Sequence, residues 1–202
     1  MRINVRGLEK EIIAKGYKIV QPQAEAKVKN AINNVREQLI ADFDSHPVTE
    51  EIEGGSSASN ISNTLGGYGN LFSFIGFESD DDPISPIRSL LAQSIEIKSF
   101  KRSPSIIGFS LELKVPTIEE VKKVAPMPWS TDDWVDAIER GISGLGQYLH
   151  KNDGSIASSR SGKAIQIQAE IPGRGGVSSP VEYMTEIFTK MLKNIEKNLK
   201  AL

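Results

Sequence analysis

The chain contains no cysteine, which excludes a disulfide framework and thiolate metal sites. It has only two histidines, His46 and His150, and no HExxH or close carboxylate–histidine set accompanies either. Each sits near an expected helix end, where an imidazole is read as a terminal hydrogen-bonding group. The net charge of −2 removes the electrostatic footprint of general nucleic-acid or membrane binding. No stretch approaches the ~18 uninterrupted apolar residues of a membrane span. The opening MRINVRGLEKEIIAKGYKIV scatters charges where a signal peptide needs an apolar region, so a cytoplasmic chain is expected. What is present is ordinary for a globular protein: 202 residues, 39% hydrophobic and 25% charged. That is enough for one domain, residues 1–202, with a sizeable core.

Motifs with reactive chemistry are equally scarce. RSGKA at 160–164 resembles the end of a phosphate loop, but Ala157 stands where the first glycine belongs and Lys163 opens a strand. Gly173-Arg-Gly-Gly176 lacks the third glycine of a dinucleotide fingerprint and reads as a turn into the last helix. There is no GxSxG elbow. Asp80-Asp81-Asp82 before a proline reads as a solvated acidic run. No catalytic, cofactor-binding or metal-ligating residue is assigned.

Periodicity supplies the architecture. After Pro22, Val28, Ile32, Val35, Leu39 and Phe43 form one apolar helical stripe, and Ser45-His46-Pro47 ends it. Leu8, Ile12, Ile13 and Tyr17 predict a shorter helix before it, closing near Gly16. Ser85-Pro86 opens another helix. SIEIKSF and SIIGFSLELKVP alternate as an antiparallel hairpin, with Ile95, Ile97 and Ser99 on one face of the first strand and Ile107, Phe109, Leu111, Leu113 and Val115 inward on the second. Thr117–Glu120 is a capping box. Trp134, Ile138, Ile142, Leu145 and Leu149 predict one helix, KAIQIQAEIP a third strand in the same sheet, and Pro180 the start of a terminal helix. The expected fold is α+β, a small antiparallel sheet packed against long N- and C-terminal helices, with extended loops.

Residues 47–70 form the longest stretch without periodicity, and the composition reads as a loop. A polar segment of this length gains little from its own domain against ordering entropy, so an arm lying on a neighbour is expected. Leu71 to Phe77 is apolar on both faces, buried either within its domain or beneath another chain. The expected inter-subunit contacts are Gly54, Gly55, Asn60, Asn63, Leu65, Gly66, Gly67 and Tyr68 of this arm, Ile156 and Arg160 of the loop 151–162, and Arg174 of the last glycine loop.

HPVTEEIEGG, NTLGGYGNLFSFIGF and PWSTDDWVDAIERGISGLGQYLHKNDG occur in this order of helices, long loop, hairpin, helix, strand and helix. That layout resembles the small neck proteins of tailed bacteriophages, the head–tail joining or tail-completion family, over most of the chain. The resemblance implies a non-enzymatic virion protein without cofactors, assembled in the host cytoplasm as a homo-oligomeric ring. Its implied partners are itself and the portal-side (connector) and tail-side ring proteins. It implies no membrane and no sequence-specific nucleic acid, with DNA passing through the ring lumen. A tail-terminator ring is the alternative position. Readings from other classes are a hydrolase with the long loop as a lid, or a monomeric adaptor.

Overall fold

The computed structural model describes residues 5–65, 69–103, 108–128, 131–141, 148–151, 164–167 and 180–200, the backbone alone for 5–15, 148–151 and 164–167. The described helices are α1 (Val5–Asp44), α2 (Pro47–Glu53), α3 (Leu71–Ile75), α4 (Ser85–Gln93), α5 (Ile118–Lys123), α6 (Trp134–Arg140) and α7 (Met184–Lys200). Strands β1 (Glu96–Arg102) and β2 (Phe109–Lys114) pair antiparallel, as do β3 (Tyr148–Lys151) and β4 (Ala164–Ile167). The fold is α+β, with small antiparallel sheets and long helices at both ends, as expected.

The α1 stripe is buried from Val28 through Phe43 and packs along α7, whose Met184, Ile187 and Met191 are equally buried. The two run antiparallel. Phe43 stacks on Tyr183 just before α7 at 6.2 Å between ring centroids, while Leu199 near the other end of α7 shares a groove with Val20 and Val28. Ile87 and Leu91 of α4 close the same core. Arg36 of α1 donates to the Ile95 carbonyl at 2.6 Å, fixing where the first hairpin leaves the helices.

Gly16 and Pro22 do not divide the N-terminal helix as expected; α1 runs 40 residues with Pro22 inside it. A mid-helix proline removes one backbone hydrogen bond and crowds the carbonyl four residues earlier, here that of Lys18. Tertiary contacts at Tyr17 offset that cost. Its hydroxyl accepts the Gly108 N–H at 2.6 Å, its ring meets the Phe109 edge at 5.3 Å, and the Arg102 guanidinium lies 4.4 Å over its face. The far turns of α1 are thereby pinned to the hairpin.

In the hairpin, Phe109, Leu111 and Leu113 face inward and Ser110, Glu112 and Lys114 outward, as the alternation requires. A bulge between Ile97 and Ser99 resets the phase of β1. The inward face therefore carries Phe100 in place of Ser99, and Phe100 stacks on Phe109 at 4.8 Å.

Two further expectations are corrected. The helix expected through Leu149 stops at Arg140, because Gly141 adopts φ 81 and ψ 129, a conformation that only glycine takes without strain. Tyr148 to Lys151 instead forms β3, and β4 pairs with it, not with the first hairpin. His150 accordingly lies on a strand and not at a helix end. The capping box is as expected: Thr117 Oγ1 accepts the Glu120 N–H at 3.2 Å and the Glu120 carboxylate accepts the Thr117 N–H at 3.1 Å.

Pro22→Ala restores a donor to the Lys18 carbonyl and relieves the ring clash. It is expected to stabilise the first half of α1 by up to about 3 kcal/mol. Slower amide exchange over residues 16–21 checks this, and faster exchange there contradicts the assignment of Pro22 as a destabilising insertion.

Candidate interaction surface

The segment expected to leave the domain begins with a helix. His46 is the N-cap of α2: its backbone is extended and its Nδ1 accepts the Val48 N–H at 3.2 Å, with Pro47 in the first turn. One face of this helix, Val48, Thr49, Glu51 and Ile52, is buried. Residues 47–65 are thus folded onto their own domain, which corrects the free arm. The short 3-10 turn Gly55–Ser57 follows directly.

Glu51 explains how a polar segment without periodicity orders itself. Its carboxylate is fully buried. Oε1 accepts the Asn60 side-chain amide at 2.9 Å and the Leu71 N–H at 2.6 Å. Oε2 accepts the Ser62 N–H at 2.9 Å and its hydroxyl at 2.6 Å. Every partner is a donor, which suits an acceptor-only carboxylate. Leu71 is the first residue of α3, so Glu51 also satisfies an orphan N–H at that helix start. Asn70 caps the same helix by accepting the Ser73 N–H at 2.8 Å, and its amide donates to the Ser56 and Ala58 carbonyls. The loop is wound around these two side chains.

All five residues of α3 are buried, which settles the run from Leu71 in favour of its own domain. Gly76 ends it at φ 94, and the N–H groups of Gly76 and Phe77 converge on the Phe72 carbonyl. Phe77 then meets Trp134 edge-on at 6.3 Å, Trp134 stacks on Tyr183 at 6.0 Å, and the His46 ring sits 4.8 Å from Tyr183. The Tyr183 hydroxyl shares a hydrogen bond of 2.7 Å with Thr49. Burial pushes the Tyr183 phenol well above its ordinary value. Burial likewise lowers the pKa of His46, against the opposing pull of Glu186. Both groups belong to one packed aromatic junction.

The expected contact residues separate accordingly. Leu65 is buried in the core and Asn60 is bound to Glu51, so neither is presented to a neighbour. Gly54 and Asn63 are exposed and Gly55 half-buried, with Asn63 at φ 55 and Gly55 at φ 64 in the turns of the loop. Gly66, Gly67, Tyr68, Ile156, Arg160 and Arg174 lie outside the described residues. Asp81 and Asp82 serve as local caps, accepting the Glu78 and Ser85 N–H groups at 2.7 and 3.0 Å. No cluster of three or more potential metal ligands occurs among the described residues.

What sequence reasoning missed is a largely apolar groove of about 450 Å³ at the hairpin end of α1, lined by Val20, Ala24, Val28, Phe100, Phe109, Leu111 and Leu199, with Gln23 and Lys27 also on its wall. Beside it Ile19 is 70% exposed and Val20 51%. The signal was present: IV preceding Pro22 has no place on the apolar stripe of a separate second helix. Reading a helix break at Gly16–Pro22 concealed it. No family model, characterised relative or solved structure matches the chain.

Glu51→Ala leaves several buried donors without partners and is expected to destabilise by on the order of 3 kcal/mol. Glu51→Gln, which keeps an acceptor oxygen, costs less. Urea midpoints rank the two, and equal stability of Glu51→Ala and wild type contradicts the network. His46 gives a pH signature. Its folded pKa lies below the unfolded value of 6.5, so the unfolded chain takes up a proton that the folded one refuses. The stability this withholds from the unfolded state is complete above pH 6.5 and is lost as pH falls through 6.5 toward the lowered folded value. His46→Asn, which retains a capping oxygen, is expected to flatten the fall in urea midpoint between about pH 7 and 5.

Proposed function

We propose that this chain is a non-enzymatic structural protein of a tailed-bacteriophage virion, forming a homo-oligomeric ring at the neck that joins the head, through its portal or connector, to the tail. Support comes from the family resemblance together with the α+β fold that the resemblance implies. The observation that carries the reading is the largely apolar groove beside Ile19 and Val20, left open among the described residues. Soluble single chains rarely leave such residues grouped around an apolar concavity unless something covers them. In this reading the groove end of the molecule meets a neighbouring subunit, and the chain's work is contact rather than turnover.

Native mass of the purified chain tests this. A multiple of 22.1 kDa, alone or when mixed with portal rings, is the expected result. A chain that stays monomeric at high concentration and in the presence of portal rings contradicts it.

A further inference from the structure

Helix α1 carries a second apolar stripe besides the one it buries. Val5, Leu8, Ile12 and Ile19 follow one another at spacings of three, four and seven along this continuous helix. In a heptad written a to g they take the a and d positions, which share one side of a helix. Tyr17 fixes which side that is. It stands at f, opposite the stripe, and turns to the hairpin through the Gly108 N–H and the Phe109 ring edge. Ile19 lies two residues on, about 200° further round the helix, and is 70% exposed. The stripe therefore runs along the side of α1 away from the hairpin. Val20 lines the groove and Ile19 does not, so stripe and groove are separate surfaces.

The flanking positions say what covers the stripe. Glu11 and Lys18 both stand at g, on the same flank. Lys18 is exposed and forms no ion pair among the described residues. Two such helices running antiparallel set g against g, which places Glu11 of each copy opposite Lys18 of the other. In a parallel pair g meets e, and Glu11 and Lys18 then face Gly16 and Gln23, with no charge to match. The stripe is self-complementary in the antiparallel sense alone.

We infer that the first half of α1 pairs antiparallel with the same helix of a second copy. Leu8 of one copy is then level with Ile19 of the other, and two Glu11–Lys18 pairs flank the seam. Lys15 takes the remaining d position, where a lysine stem can cover apolar surface while its charge stays in water. Apolar burial supplies the affinity and the charges select the orientation. Each copy offers the same patch, so the contact is isologous and complete with two subunits. It goes beyond the ring reading and does not rest on it, because a ring needs a further, heterologous contact, for which the groove remains.

The chain lacks cysteine, so introduced thiols report without background. The double variant Leu8→Cys/Ile19→Cys is expected to give a covalent dimer under mild oxidation. Within one chain the two positions lie about 16 Å apart along the helix, too far for a disulfide. Each single variant is expected to remain unlinked, because neither position meets itself in the antiparallel seam. Self-linked Ile19→Cys, or an unlinked double variant, overturns the inference. Charge reversal gives an independent measurement. Lys18→Glu and Glu11→Lys should each weaken dimerisation at least about tenfold, because like charges then face each other. Both changes in one chain should restore it, and no weakening or no recovery counts against the pairing. Wild type is expected at twice 22.1 kDa or an even multiple of it. A monomer or an odd-membered ring overturns this contact, and the odd-membered ring leaves the ring reading standing. A dimer that grows no further with portal rings leaves this contact standing without the ring.

Discussion

A single buried carboxylate decides what the middle of this protein is. Without Glu51, residues 54–70 are a glycine- and serine-rich segment with little apolar surface to repay its ordering. With it, donors from Asn60, Ser62 and Leu71 converge on one point inside the domain. Removing a carboxylate from water is costly unless its oxygens are fully engaged, and here hydrogen bonds from backbone and side chains engage both. The arrangement ties α2 to α3 and places α3 in the core. From there Phe77 reaches Trp134, and Trp134 reaches Tyr183 and so the α1–α7 pair. The segment thus meets the α1–α7 pair through one aromatic junction.

The parts of the fold that were legible in the sequence are those set by repeated apolar spacing or by a local capping pattern. The α1 stripe from Val28 to Phe43, the inward residues of β2 and the Thr117–Glu120 box all belong to this class. The parts that were not legible depend on partners distant in sequence. Asn60 and Ser62 look like generic loop residues until Glu51 is placed beside them. Pro22 looks like a helix start until Tyr17 is seen pinned to the hairpin. The bulge after Ile97 exchanges Ser99 for Phe100 on the inner face, a shift of phase that no alternation rule anticipates.

The candidate contact surface moved for the same reason. Expecting a free arm placed the contacts on the 47–70 segment. With residues 47–65 folded inward, exposed apolar side chains remain at Ile19 and Val20 beside the groove, and singly at Ile61 and Leu192.

Amide hydrogen exchange, compared between the isolated subunit and the assembled particle, tests this account most directly. The account predicts that residues 54–65 are already protected in the isolated subunit. On assembly, new protection should appear around residues 16–24. Free exchange of residues 54–65 in the isolated subunit, with protection arising there only on assembly, would show that the segment is an arm after all and contradict the central role given to Glu51.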